Sequence, residues 1–94
     1  MSVENINCTL VVGIDIDLNR VAVENPATCA YEPGVFPAAI FRNPKMFPIC
    51  CLVFSTGKVV ITGGVTEAGA KVAARWLLRG PLRGQCEEAG VVVL

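Results

Sequence analysis

The segment from Ile49 to Gly63, ICCLVFSTGKVVITG, limits the fold more than any other part of the chain. Two five-residue apolar runs flank a Ser55-Thr56-Gly57 turn, which is the pattern of a β-hairpin with a short glycine-containing loop. Side chains alternate across a strand. Cys50, Leu52 and Phe54 therefore share one face with Lys58, Val60 and Thr62, while Cys51, Val53, Val59 and Ile61 share the other. Both faces are largely apolar. A single helical layer covers only one face of a sheet, so this hairpin predicts an exposed apolar face of the kind that marks an interaction surface.

The rest of the chain supplies one helical layer. Asn5 to Leu10 alternates polar and apolar residues and reads as a strand with one wet face. Asp17 is placed to cap a short helix over Leu18 to Glu24, which Pro26 ends. Ala27 to Tyr31 and Ala38 to Arg42 read as strands separated by the Pro33-Gly34 turn, with Asn43-Pro44 closing the second. Thr66 is a fair N-cap for a helix over Ala68 to Arg79, with Val72, Ala73, Trp76 and Leu77 at helical spacing and a stop at Gly80-Pro81. Trp76 reads as the anchor of that helix on the sheet. The order β-α-β-β-β-β-α predicts an α+β domain, a five-stranded antiparallel sheet with helices on one side. The tail from Pro81 to Leu94 reads either as an added strand or as a loose end.

Ninety-four residues are enough for one small domain, and 53% hydrophobic against 17% charged residues predicts a packed core. No apolar run approaches the roughly 20 residues of a membrane-spanning helix. MSVENINC lacks the basic region of a secretory signal, so the setting is read as intracellular, nuclear in a eukaryote and otherwise cytoplasmic. The five cysteines, with no CxxC and no histidine in the chain, read as small buried apolar residues of a reducing compartment rather than a metal set or disulfide frame. No cofactor is expected. Ser55-Thr56-Gly57-Lys58 lacks the glycine spacing of a phosphate-binding loop, and no carboxylate pair has a cleft-like setting, so an enzyme is not expected either.

The net charge is zero, which is unusual for a nucleic-acid binder, but its distribution is uneven. Residues 1–33 carry Glu4, Asp15, Asp17, Glu24 and Glu32 against Arg20 alone. Residues 34–84 carry Arg42, Lys45, Lys58, Lys71, Arg75, Arg79 and Arg83 against Glu67 alone. A basic surface on the second half is compatible with this split. Lys71, Arg75 and Arg79 recur every fourth residue and read either as a solvated helix face or as a docking stripe for an acidic partner.

Three stretches taken together resemble one repeat of the TATA-box-binding protein family. They are Asn5-Ile6 opening the first strand, FPAAIFR from Phe36 to Arg42, and LVFSTGKVVITG from Leu52 to Gly63, followed by Ala73-Ala74-Arg75 in the helix. The resemblance covers about residues 4–80, leaves 81–94 as a tail, and treats 1–94 as a single repeat, half of the family's two-repeat saddle. It implies a curved sheet with helices on the convex side and a concave face that binds A/T-rich duplex in the minor groove. Minor-groove binding with apolar wedges is an established property of that family, carried over with the resemblance and not found independently. The groove floor offers mainly acceptors at A·T pairs, which suits an apolar face with a few Asn and Thr donors.

Periodicity alone favours Phe36 and Phe54 as ordinary core aromatics, and the resemblance reverses this and makes them the wedge pair. Leu52, Val60 and Thr62 line the groove floor. Asn5 donates to bases near the dyad, as Asn7 is able to do where the family carries valine. Arg42, Ser55, Thr56 and Lys58 hold phosphates. In the family the first strands of the two repeats lie side by side. A single repeat leaves that strand as an open edge, which no charge or proline guards between Asn5 and Val12. This implies a homodimer paired through Ile6, Cys8, Thr9 and Leu10. Lys71, Arg75 and Arg79 are the implied contact for other transcription-initiation factors. The alternative, which the neutral charge and Asn7 favour, is a non-catalytic protein–protein assembly module with weak or no DNA binding.

Overall fold

The computed structural model describes residues 7–63 and 66–90. Five strands form one antiparallel sheet: β1 (Cys8–Val11), β2 (Cys29–Ala30), β3 (Ala38–Arg42), β4 (Cys50–Phe54) and β5 (Lys58–Thr62). Their spatial order is β1-β5-β4-β3-β2. The β4–β5 hairpin is thus flanked by β3 on one side and β1 on the other, and β1 and β2 are the two edges. The helices are α1 (Leu18–Glu24), α2 (Glu67–Arg79) and α3 (Arg83–Glu88), and a short 3-10 turn spans Pro44–Met46. The expected α+β layer architecture is present.

Local chemistry sets the element ends. The Asp17 carboxylate accepts the Arg20 N–H at 3.1 Å and caps α1. The Thr66 hydroxyl accepts the Gly69 N–H at 3.1 Å and caps α2. Gly80 closes α2, donating its N–H to the Trp76 carbonyl at 2.9 Å. At the hairpin turn Gly57 has φ +90°, and a Cβ there would come within 2.3 Å of the Ile14 carbonyl oxygen. Only glycine fits that close approach.

One side of the sheet is sealed by the helices. Ala39, Phe41, Cys51, Val53, Val59 and Ile61 face Leu18 and Val21 of α1 and Ala70, Ala73 and Leu77 of α2 in one buried cluster. Phe41, 1% exposed, meets Trp76 edge-on with ring centroids 5.9 Å apart, so Trp76 does anchor α2 on the sheet. Burial pushes the Cys51 thiol up to about 11, with its neighbour Cys50 adding to the shift, and raises Cys29 and Cys86 as well.

Two expectations need correction. Val72 does not join the apolar seam of α2. It is 55% exposed, and Ala70 takes its place beside Ala73 and Leu77. The seam runs at i, i+3 and i+7 from Ala70, and a residue two positions from the start of that row points elsewhere. The tail is neither strand nor loose over its described part. Residues 83–88 form α3, which buries Leu82, Gln85 and Cys86. No side chain caps this helix and Gly84 weakens it, so beyond the exposed Arg83–Glu87 pair at 2.8 Å local signals are weak and burial holds it in place.

Candidate nucleic-acid interface

Among the described residues, no helix lies over the other side of the sheet. Cross-strand register and alternation put Thr9 and Val11 of β1, Lys58, Val60 and Thr62 of β5, Cys50, Leu52 and Phe54 of β4, and Ala38, Ile40 and Arg42 of β3 on this side. Thr9 lies across from Val60, Leu52 lies between Val60 and Ile40, and Cys50 lies between Thr62 and Arg42. The middle of the face is therefore Val60, Leu52 and Ile40, all half-buried, with Thr9 and Thr62 as small hydroxyl donors on the β1 side. Asn7, one residue before β1 and exposed, has the parity of this face.

Phe36 and Phe54 stand together at one end of the face, with ring centroids 6.2 Å apart and planes tilted by 58°. Neither belongs to the buried cluster, and Phe36 is 38% exposed. The core-aromatic option is thereby excluded. Ala38, opposite Phe54, is 1% exposed although no described helix lies on that side. Beyond Phe54, the turn exposes Ser55 and Thr56 and leads into exposed Lys58. Arg42 is exposed at the opposite end of β3. Apolar side chains in the middle, hydroxyls toward β1 and cations at both strand ends make a surface chemically suited to a groove whose floor offers a few acceptors between two charged backbones.

Asn5 and Ile6 lie outside the described residues. Of the other residues expected at a dimer contact, Thr9 faces the open side. Cys8 and Leu10 face the helices, half-buried beside Ala70 and Ala74 along the β1 edge. On α2, Lys71, Arg75 and Arg79 are exposed, and Lys71 is held 3.6 Å from Glu67 one turn earlier. Ile40 and Val11 also belong to the open face, although the resemblance assigns them no role. Counting back by twos from Arg42, or on from Thr9, finds them.

A sheet covered by helices on one side, with an aromatic pair and cations at the strand ends of the other, defines the class: an α+β domain with one open sheet face. Comparison with known proteins identifies the family. Residues 1–80 match the family model described as transcription factor TFIID, or TATA-binding protein. The TATA-box-binding protein of Pyrobaculum islandicum is 40% identical over 77 residues, covering 82% of this chain and 38% of that protein. That of Pyrococcus horikoshii is 41% identical over 68 residues, covering 72% and 35%. A solved structure of Methanococcus jannaschii TBP superposes with a TM-score of 0.71 at 35% identity, over 80% of this chain and 43% of that one. The chain belongs to the TATA-binding protein family, a non-catalytic family, and spans one repeat, about 38% of the length of relatives such as the Pyrobaculum protein.

Proposed function

We propose that two copies of this chain pair through β1 and bind A/T-rich duplex in the minor groove, bending it as a homodimeric saddle. The observation that carries the reading is the combination, among the described residues, of an uncovered apolar face with an unpaired β1 edge. Val12 donates its N–H inward to Gly57 at 2.8 Å, so by alternation Asn7, Thr9 and Val11 aim their main-chain groups outward at the free edge. A second β1 satisfies them in antiparallel register about a twofold axis. Only registers that pair odd with odd residues keep both open faces on the same side. The floor then doubles, and two Phe36/Phe54 pairs stand at its far ends as wedges.

Leu52, Val60 and Thr62 contact the groove floor in this reading, and Asn5 and Asn7 donate near the dyad. Arg42, Ser55, Thr56 and Lys58 contact phosphates. A symmetric dimer reads a symmetric site and sets no direction. The exposed α2 cations Lys71, Arg75 and Arg79 are placed for an acidic initiation factor that supplies polarity. A mobility-shift assay with A/T-rich and G/C-rich duplexes at low salt tests the proposal. Preferential retardation of the A/T-rich duplex, with bending, is expected. Dimerisation without any DNA retention would favour the assembly-module alternative, to which the zero net charge already lends weight.

A further inference from the structure

Residues 81–90 lie beyond the segment matched by the family model, yet they are built into the domain. Leu82 and Cys86 are fully buried, and Gln85 between them is the polar residue that joins the core. Its amide is bonded at both ends to a single residue. Gln85 Oε1 accepts the Asp17 N–H at 2.7 Å, and Gln85 Nε2 donates to the Asp17 carbonyl at 3.1 Å. One main-chain donor and one acceptor leave that amide a single orientation. An apolar residue at 85 would fill the same space without fixing any direction, so the carboxamide sets geometry as well as packing.

What it orients is the loop before α1. Ile16, next to Asp17, donates its N–H to the Ser55 carbonyl at 2.8 Å, and Val12 donates to Gly57 at 2.8 Å. Ile14 lies directly against Gly57. A continuous path therefore runs from α3 through Asp17 and Ile16 to the β4–β5 turn, which begins at Phe54 and displays Ser55 and Thr56. Arg20 of α1 also pairs with Glu88 of α3 and fastens the far end of the same contact.

We propose that Gln85 is a positioning residue for the DNA-facing turn. It holds Asp17, Asp17 holds the loop on Ser55, and the loop holds the Phe54 ring at the attitude a wedge requires. The inference rests on the DNA-binding reading above. Gln85→Met keeps the length and volume of the side chain and removes both bonds. Gln85→Glu keeps the acceptor and loses the donor.

Amide hydrogen exchange on the DNA-free protein reads the path by itself. In Gln85→Met, exchange at Ile16 and Val12 is expected to rise about tenfold more than at Ala73 and Leu77 of α2, and in Gln85→Glu at least as much, because a buried carboxylate oxygen then faces the Asp17 carbonyl. Affinity and bending of an A/T-rich duplex are expected to fall about three- to tenfold. That loss should vanish in a Phe54→Ala background, where no ring remains to be positioned. Uniform acceleration at all amides would overturn the inference, because it reports general loosening. Unchanged bending despite a loosened turn would overturn it, as would losses that multiply with Phe54→Ala. A wild-type chain that retains no duplex overturns the DNA reading and the wedge role together, while the exchange arm still decides whether Gln85 holds the turn.

Discussion

Replacing Phe54 by Ala separates a wedge from a core aromatic, and Phe41→Ala is its natural control. Phe41 is fully buried and meets Trp76 edge-on at 5.9 Å. Its truncation removes a full ring from a packed cluster and should destabilise the fold by about 3–5 kcal/mol. Phe54 is half-exposed on the face that lacks helices, and its main aromatic neighbour is Phe36 at 6.2 Å. Losing that pair costs about 0.5–1.5 kcal/mol, and losing partial burial adds a fraction of the full-burial value. A total of about 1–2 kcal/mol follows. Binding should show the reverse ranking. An aromatic contact to a base is worth about 1–3 kcal/mol, and a dimer presents the ring twice, so Phe54→Ala should weaken binding at least about 30-fold. Urea unfolding measures the first quantity. Energy transfer between dyes at the ends of an A/T-rich duplex measures affinity and bending. Equal destabilisation by the two substitutions, or intact bending by Phe54→Ala, would refute the argument.

Further predictions rest on independent features. With Arg42 and Lys58 as the cations at phosphates, a dimer neutralises about four charges, and log affinity should fall against log salt with a slope of about −4. A slope steeper than about −8 would mean that other cations, such as those on α2, bind DNA. Thr9→Pro removes an outward N–H while sparing the β5 ladder, so it should leave a folded monomer with little affinity for DNA. Retention of the dimer would show that another surface makes it. Cys51 has its thiol pKa raised to about 11 from an unperturbed 9.0, so the unfolded chain loses this proton first as pH rises. Stability should therefore fall between about pH 9 and 11, by up to roughly 2–3 kcal/mol from this group. Cys51→Ala should flatten that part of the profile, and an unchanged slope would assign it to other groups.

The legible parts of the molecule were those governed by alternation and caps. The two faces of β4 and β5, the Asp17 and Thr66 caps and the α2 stop at Gly80 all follow from local chemistry, and each stands where expected. Phe36 was legible only in part. Periodicity does not tell an aromatic on an uncovered face from one under a helix, because both alternate identically, and the family pattern was needed to choose. Ile40 lies within the FPAAIFR stretch and was readable from the parity of Arg42, but the resemblance assigns it no role. α3 had little local signature: an exposed i,i+4 pair, Arg83 and Glu87, but no cap and a glycine at 84. Its stability comes from burying Leu82 and Cys86 and from a Gln85 contact spanning 68 residues of sequence, a pairing invisible before the chain is folded. Val72 failed for a related reason: helical spacing allowed two neighbouring seams, and the sheet selected the one through Ala70.

The central claim is that an uncovered apolar sheet face becomes a DNA-binding surface when two β1 edges meet. Light scattering on the protein with a short palindromic A/T-rich duplex measures this directly, because it weighs the complex. Two 9.9 kDa chains should sit on each duplex, and the free protein should run at twice the chain mass at tens of micromolar. A free monomer at that concentration, together with one chain per duplex or none, would contradict the account.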